Sequence, residues 1–252
     1  MTRNIGFAAD SFDTLAGYED WHWWFQNRND LILQLFGRFC RSRDQILEIG
    51  CGNGAVTGAI HGKYPDAELT ATEFFEEGLV NARARVPGVT FRQLDARDLT
   101  DAEKFDVVCA FDVLEHIDQD VEVMTAVRSS MRNAQSRFVI TVPQHMWLWS
   151  QADVFAKHER RYTFAEMRDK LEQAGFDVEY RTSYVVLLLP LMYLSRLLKK
   201  DESDFDPNSE FTISKTSNLA LNAVLKVEAA LRRIGLPMPA GGSLVVVAKP
   251  RD

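Results

Sequence analysis

The stretch Ile46–Gly58 reads ILEIGCGNGAVTG. A short apolar run contains an acid, Glu48, and glycines then follow at alternate positions, Gly50, Gly52 and Gly54. Because glycine has no Cβ and adopts positive φ without strain, such a turn lets the backbone approach a ligand closely. A strand, a glycine turn and a helix in this order predict a ligand site at the end of the strand.

On both sides of this turn, strand-like apolar segments alternate with amphipathic helical segments. Strands are predicted at residues 45–50, 68–73, 89–95, 105–112, 137–143, 176–186 and 243–250. A helix is predicted at 27–40, capped by Asn27 or Asn29, and another follows Asp118 as its cap. The alternation predicts a mostly parallel sheet covered by helices on both faces, with ligands at the carboxyl ends of the strands.

The composition predicts a reduced, acidic, cytoplasmic protein. The chain has 252 residues and a net charge of -7, which argues against broad nucleic-acid binding because that needs a basic face. Three widely spaced cysteines, Cys40, Cys51 and Cys109, have no metal-ligand spacing, so no metal site is expected. The first residues lack the apolar region of a secretory signal, and no stretch is apolar for the about 20 residues that a membrane span needs.

Acids close the next three predicted strands as well. Glu73 ends the second strand, where an acid can accept from both ribose hydroxyls of a nucleoside. Asp95 ends the third strand, with Ala96 beside it, and Asp112 ends the fourth. The carboxylate of Asp95 and the amide of Ala96 suit the edge of adenine. Each acid alone could be an ordinary helix cap. The glycine turn alone also fits a dinucleotide site or a turn without a ligand.

Taken together, LEIGCGNG, the strand-end Glu73, LDARDL and FDVVCAFDVLEHI resemble the sequential motifs of class I S-adenosylmethionine-dependent methyltransferases. The resemblance covers about residues 45–176. It implies a Rossmann-like α/β fold with a seven-stranded, mostly parallel sheet, an antiparallel last strand and, here, a helical insertion before that strand. It implies S-adenosyl-L-methionine as cofactor and S-adenosyl-L-homocysteine as product. The cofactor roles of the family carry over to Glu48, Gly50, Gly52, Gly54, Glu73, Asp95, Ala96 and Asp112.

The segment WHWWFQNR at 21–28 resembles a bacterial subgroup of these enzymes with an HWWF motif, as do HERRYT at 158–163 and GGSLVVVAKP near the end. In this fold, the segment before the first strand often covers the cofactor. Arg28 is then a candidate partner for the methionine carboxylate, because a guanidinium matches a carboxylate bidentately. Trp23 is a candidate contact to the acceptor. The alternatives are a surface arginine and aromatic core anchors.

Methylation of a hydroxyl needs a base, and His145 and His158 are the candidate catalytic residues. His145 follows the fifth strand on the expected acceptor side, and His158 precedes a capped helix. An unperturbed imidazole has a pKa of about 6.5 and suits proton transfer near neutral pH. His116, Arg161 and Tyr162 are candidate substrate-binding residues. Each of them is equally compatible with a structural or solvated role.

These patterns predict one methyltransferase domain over residues 1–252. It would comprise a helical lid (1–44), a cofactor-binding core (45–186), a helical insertion (187–242) and the final strand (243–252). The expected reaction is methyl transfer to a small-molecule or lipid- or sugar-linked metabolite, most readily at oxygen. The alternatives are an NAD(P)-dependent oxidoreductase and a non-catalytic S-adenosylmethionine-binding scaffold. No nucleic acid is expected as partner, a weak membrane-surface contact is compatible with the apolar insertion, and a monomer or a homodimer is expected.

Overall fold

The computed structural model describes residues 11–100, 103–198 and 212–251. Its sheet has seven strands in the order β3-β2-β1-β4-β5-β7-β6. The strands are β1 (Gln45–Ile49), β2 (Glu68–Glu73), β3 (Thr90–Gln93), β4 (Val107–Phe111), β5 (Arg137–Pro143), β6 (Phe176–Tyr184) and β7 (Ser243–Pro250). β7 is antiparallel to both β5 and β6, and the pairs among β1 to β5 are parallel. The predicted fold class is confirmed.

Helices cover both faces of the sheet. They are α1 (Ser11–Glu19), α2 (Trp23–Phe39), α3 (Ala55–Lys63), α4 (Glu76–Arg85), α5 (Asp120–Ser130), α6 (Gln151–Phe155), α7 (Phe164–Gln173), α8 (Leu189–Leu198) and α9 (Lys215–Arg233). Short 3-10 turns follow β3, β4 and β5 at Ala96–Asp98, Leu114–His116 and Met146–Leu148. The acidic segment at 199–210 lies outside the described residues.

The centre of the sheet is buried on both faces. Every residue of β4 is buried, and its side chains alternate between two apolar clusters. Val108 packs with the side chains of α5 and α7, and Val107 packs with those of α2 and α3. Fully burying such a side chain stabilises the fold by about 1.5–3 kcal/mol, which explains why this strand reads as a continuous apolar run.

Two predicted helix caps are wrong. α2 begins at Trp23, and its cap is His22, whose Nδ1 accepts from the backbone N–H of Trp24 at 3.3 Å. Asn27 is instead buried inside the helix and donates to the side chain of Asn222 at 2.8 Å. α5 begins at Asp120 without a side-chain cap, and Asp118 is exposed and pairs with Arg160 at 3.1 Å.

The predicted insertion forms α8 and α9, and α9 packs against α2. Asn218 of α9 accepts from the backbone N–H of Trp23 at 2.8 Å and donates to the carbonyl of Trp21 at 3.1 Å. The amphipathic insertion therefore holds the start of α2 in place. In the part of the chain that the structure describes, no helix combines the length and apolarity needed to cross a bilayer.

A buried carboxylate joins the insertion to the end of β6. Glu228 of α9 is fully buried and accepts from three consecutive backbone N–H groups, those of Val185, Val186 and Leu187, at 2.9, 2.6 and 3.0 Å. Val185 has a φ of 61°, which a β-branched residue rarely adopts. The strained turn after β6 is thus held by a side chain from a later helix.

Candidate functional site

One cavity of about 820 Å³ lies at the carboxyl ends of the parallel strands. Its walls come from the turns after β1, β2, β3, β4 and β5, from α1 and α2, and from α8. Ligand pockets in proteins usually measure about 300–1,000 Å³. The cavity is therefore large enough for a nucleoside-sized cofactor together with part of an acceptor.

The glycine turn after β1 forms one wall. Gly50, Gly52 and Gly54 have φ values of 68°, 53° and 76°, in the left-handed region that strains other residues. A Cβ on Gly50 would lie 2.5 Å from a methyl group of Val113, whereas a Cβ on Gly52 would have its nearest neighbour, Phe12, at 3.8 Å. Gly52 therefore borders open space, and its missing side chain leaves room for a ligand.

Two buried acids lie beside this turn. Glu73 accepts from the backbone N–H groups of Gly52, Phe74 and Phe75 at 3.0, 2.8 and 3.1 Å. Burial nevertheless raises the pKa of Glu73 above its ordinary value. Glu48 is 2% exposed and accepts from the hydroxyl of Thr57 at 2.5 Å. Burial raises the pKa of Glu48 to about 7, although Thr57 acts in the opposite direction.

The turn after β3 brings Asp95 and Ala96 to the cavity wall. Asp95 accepts from the backbone N–H of Arg97 at 3.0 Å and forms an ion pair with the Arg97 guanidinium at 2.6 Å. Ala96 is 8% exposed. The acid and the small residue thus lie where the sequence predicted them, and the charge of Asp95 is balanced by an arginine that also lines the cavity.

Asp112 and Arg28 both line the cavity and form an ion pair with each other. Asp112 directly follows β4 with a φ of 58°, and it accepts from Arg28 Nη1 at 2.8 Å and from the Thr141 hydroxyl at 3.1 Å. The Arg28 guanidinium also lies over the ring of Trp24 at 4.6 Å. Arg28 Nε is buried without a hydrogen-bond partner among the described residues. Backbone strain, as at Asp112, and a buried donor without a partner, as at Arg28 Nε, are both typical of binding sites.

The aromatic segment covers one side of the cavity in part. His22, Trp23, Trp24 and Phe25 line it, whereas Trp21 is 40% exposed and donates to the carbonyl of Gly17 at 2.7 Å. Burial lowers the pKa of His22 to about 4, so its ring is neutral near pH 7. The aromatic segment therefore gives the cavity an apolar surface, and His22 adds no positive charge to it near neutral pH.

His158 also lines the cavity and belongs to a hydrogen-bonded group. Its Nδ1 lies 2.9 Å from Asp153 Oδ1, and Arg161 donates to the same carboxylate at 2.7 Å. Burial alone would raise the pKa of Asp153, but the bonds from His158 and Arg161 hold it at about 2. The Asp153 carboxylate is thus ionised near neutral pH and orients the His158 ring.

Arg161 faces the cavity, as predicted, but its charge is balanced by Asp153. Its side chain is 9% exposed. Because the guanidinium already binds a carboxylate through two nitrogens, at 2.7 and 3.0 Å, it offers little net charge to an anionic acceptor. Asp153 was not predicted as a site residue; in the structure it also forms a capping box with Ser150 at the start of α6.

Two expectations for the acceptor side need correction. His145 has a φ of 65°, and its ring stacks on Trp147 at 5.1 Å; it is not among the described residues that line the cavity. Tyr162 is 1% exposed, and its hydroxyl lies 3.1 Å from the carbonyl of Leu114 and 2.7 Å from Asp120 Oδ2. The bridge between Gln144 and Tyr162 directs Tyr162 into the core, where it does not face a ligand.

His116 lies at the cavity as expected, and the structure adds its neighbour Glu115. Burial, together with the nearby His158, lowers the pKa of His116 to about 3. Glu115 is fully buried, and neither carboxylate oxygen has a partner among the described residues. Burial and the nearby Asp112 carboxylate raise the pKa of Glu115 well above its ordinary value. The burial of Glu115 could not be predicted from its neighbours, because an acid beside a histidine is ordinarily expected at the surface.

Known proteins resemble this chain in sequence and fold. Residues 46–134 match the family described as a methyltransferase domain. A probable S-adenosylmethionine-dependent methyltransferase of Mycolicibacterium smegmatis is 29% identical over 66% of this chain and 64% of its own length. A malonyl-[acyl-carrier protein] O-methyltransferase of Bacillus cytotoxicus is 33% identical over 43% of this chain and 37% of its own length. The chain therefore spans less than two thirds of the length of these relatives.

Among solved structures, the fold is similar to a chain in the complex between the Haloferax volcanii Trm112 methyltransferase activator and its proposed methyltransferase. The TM-score is 0.65 at 17% identity, over 98% of this chain and 100% of that chain. The sequence comparisons match a methyltransferase domain over residues 46–134, within the region where the motifs resemble that family, and the structural comparison agrees in fold. They do not favour an oxidoreductase or a non-catalytic scaffold, and they leave the HWWF subgroup as a prediction.

Proposed function

We propose that the protein transfers a methyl group from S-adenosylmethionine to an oxygen of a small-molecule or lipid- or sugar-linked metabolite. The observation that carries the proposal is the convergence of the left-handed glycines Gly50 and Gly52 with the acids Glu73, Asp95 and Asp112 on one cavity. Gly54, also predicted as a cofactor residue, does not line the cavity and packs against Ala82 of α4. The match of residues 46–134 to a methyltransferase domain supports the same chemistry. The acceptor oxygen is suggested by the O-methyltransferase among the relatives.

Each cofactor group has a proposed partner in the cavity. Glu73 would accept from the ribose hydroxyls, and Asp95 with the Ala96 amide would bind the edge of adenine. Arg28 would bind the methionine carboxylate, and Gly52 would lie against the methionine and ribose. Since Glu73 and Asp112 already accept hydrogen bonds from the protein, the ligand would bind to groups that are held in place.

In the proposed reaction, the acceptor oxygen forms a bond to the methyl carbon while the bond between that carbon and sulfur breaks. The electron pair of the broken bond stays on sulfur, which becomes the neutral thioether of S-adenosylhomocysteine. The acceptor hydroxyl loses its proton. Of the two histidines predicted as bases, His158 is favoured because it lines the cavity and Asp153 binds its Nδ1, which leaves Nε2 to take a proton.

The predicted lid at residues 1–44, of which the structure describes 11–44, would exclude water from the sulfonium. The rings of Trp23, Trp24 and Phe25 line the cavity, and Asn218 of α9 holds the start of α2. Methyl transfer disperses the charge of the sulfonium, and a dry, aligned site assists such a reaction. The partner that we propose is a small molecule or a lipid- or sugar-linked metabolite, and we do not propose a nucleic acid as substrate.

The test is S-adenosylhomocysteine binding by calorimetry, with NAD⁺ and NADP⁺ as comparison ligands. We expect the wild-type protein to bind S-adenosylhomocysteine, and Gly52→Val to weaken that binding at least about 100-fold, which is about 2.7 kcal/mol. The valine side chain would occupy the open space beside Gly52, whose nearest neighbour is 3.8 Å from the built Cβ.

A matched control separates lost space from backbone strain. Gly235 has a φ of 87° and no atom within 4 Å of a built Cβ, and it belongs to the turn after α9. Gly235→Val should therefore bear comparable strain and keep its affinity for the ligand. Unchanged affinity in a folded Gly52→Val protein, or preference for a nicotinamide cofactor, would contradict the assignment.

A further inference from the structure

We propose that Glu115, His116 and His158 form a binding site for a divalent transition-metal ion on the acceptor wall of the cavity. One ligand atom from each of these side chains lies within 4.8 Å of the others. All three residues line the cavity. The proposal departs from the sequence-based expectation that no metal site is present.

Glu115 supplies the first independent argument. It is fully buried, and both its carboxylate oxygens lack hydrogen-bond partners within the described residues. Buried polar groups are rarely left without a partner, and burying an unpaired carboxylate is costly. The neighbouring carboxylates already have cations, because Asp112 pairs with Arg28 and Asp153 pairs with Arg161. The Arg161 guanidinium also attracts Glu115, but it is already bound to Asp153, so a bound cation would give Glu115 a direct partner.

Each of the two histidines uses one ring nitrogen for a hydrogen bond to the protein, as metal-binding histidines usually do, and this leaves the other nitrogen for the ion. His158 Nδ1 is bound to Asp153, which leaves Nε2 as the ring nitrogen available to a metal. The His116 ring is hydrogen-bonded to the backbone of Ala156 and Lys157, while its Nδ1 is buried and lacks a partner among the described residues. A metal-binding histidine almost always donates its other N–H to a carboxylate or a carbonyl.

The backbone holds the two ligand segments together. The N–H of Glu159 donates to the carbonyl of Glu115 at 2.7 Å, and Arg160 donates to the carbonyl of Ile117 at 2.9 Å. The His116 and His158 rings lie edge to face at 4.7 Å. The cluster is therefore fixed before any ion binds, as a metal site requires.

The donor set indicates the class of ion. Two imidazole nitrogens and one carboxylate suit Mn²⁺, Fe²⁺, Co²⁺ or Zn²⁺, whereas Mg²⁺ prefers oxygen ligands and octahedral geometry. Three protein ligands leave positions open, as in catalytic metal sites. If the proposed methyl transfer holds, an acceptor hydroxyl bound at an open position would release its proton to water more readily. His158 Nε2 would then be a ligand, which excludes its role as a base.

The experiment titrates the purified, chelator-treated protein with Mn²⁺ and measures the loss of the free-ion signal by electron paramagnetic resonance. We expect about one ion per chain, displaced by Zn²⁺ and weakly by Mg²⁺. Glu115→Gln and His158→Ala should abolish this binding. His61→Ala, which changes a histidine on α3, should retain it.

S-adenosylhomocysteine affinity, measured in parallel, reports whether each variant is folded and tests the cofactor site independently. Asp153→Asn provides a second test at a residue that is not a ligand, and it should weaken Mn²⁺ about 10–100-fold. Retention of Mn²⁺ by the Glu115→Gln and His158→Ala variants, or no binding of Mn²⁺ or Zn²⁺ to wild-type protein, would overturn the proposal. Either result would leave His158 as the candidate base.

Discussion

The two halves of the cavity are built in different ways. On the half proposed for the cofactor, most groups that face the cavity belong to single strand-to-helix turns, such as Gly50 and Gly52 after β1 and Asp95 and Ala96 after β3. On the acceptor half, the cluster of Glu115, His116 and His158 joins the turn after β4 to the segment after α6. Local geometry thus shapes the first half, and contacts between distant segments shape the second.

The largest expected effect tests how far the acceptor half depends on distant contacts. Glu228→Ala should lower the free energy of unfolding by about 3–5 kcal/mol, since it removes the acceptor of three backbone N–H groups and leaves the buried Arg232 without its carboxylate. Urea denaturation measures the change. Lys226→Ala, at an exposed position on the same helix, is the control and should change stability little. If Glu228→Ala lowered the free energy of unfolding no more than Lys226→Ala does, Glu228 would not stabilise the turn after β6, and the proposed difference between the two halves would be wrong.

A second prediction concerns a buried acid of the cofactor half. Glu48 has a pKa raised from 4.5 to about 7 in the folded protein. Because a raised pKa of an acid favours the protonated folded state, its stabilising effect is complete below pH 4.5 and is lost as the pH rises to about 7. The wild-type protein without ligand should therefore lose about 3 kcal/mol over this range relative to Glu48→Gln.

Unfolding by urea at a series of pH values gives this difference directly. Subtracting the curve of the Glu48→Gln variant removes the contributions of the other titrating groups, including Glu115. Parallel stability curves for the two proteins would mean that Glu48 has the same pKa in both folded and unfolded states.

The smallest expected effect is on S-adenosylhomocysteine affinity. It concerns the ion pair between Arg28 and Asp112, which lies where the two halves of the cavity join. Arg28→Ala should weaken S-adenosylhomocysteine about 10–100-fold, which is about 1.4–2.7 kcal/mol. The loss arises because the methionine carboxylate loses its proposed partner. Arg28→Lys keeps the positive charge but lacks the planar guanidinium that can bind a carboxylate through two nitrogens, so its affinity for S-adenosylhomocysteine should be intermediate.

The comparison ligand is 5′-methylthioadenosine, which has the nucleoside and lacks the amino-acid carboxylate. Its affinity should be the same in wild-type protein and in Arg28→Ala. If Arg28→Ala weakened both ligands equally, the arginine would act by supporting Asp112 or the aromatic segment, and its proposed contact with the ligand would be withdrawn.

The glycine turn and the acid at the end of β2 could be located from the sequence because each signal there is local. A glycine with φ > 0 and an acid at the end of a strand can be recognised from a few neighbouring residues, as for Gly52 and Glu73. The roles of these residues towards the cofactor remain proposals. The seven strands were predicted for the same reason, since alternating apolar patterns report burial in a sheet.

The acceptor half was harder to predict because backbone conformation and long-range pairing decide where a side chain points. His145 adopts a φ of 65° and does not line the cavity, and Tyr162 is directed into the core by its bridge to Gln144. Neither effect is visible in the local sequence. The absence of partners around Glu115 is likewise a property of the assembled structure, among its described residues.

The position of β7 imposes an order on the assembly of the molecule during its synthesis. β7 is the last of the seven strands along the chain, yet it lies between β5 and β6. Gln144, after β5, donates its backbone N–H to the carbonyl of Gly242 at 2.9 Å and accepts from the N–H of Gly241 at 3.0 Å. As the chain leaves the ribosome, β1 to β5 can pair while β6 has no neighbour in the sheet. The part of the cavity wall that Gly242 and Ser243 contribute is therefore completed only after β7 has been translated.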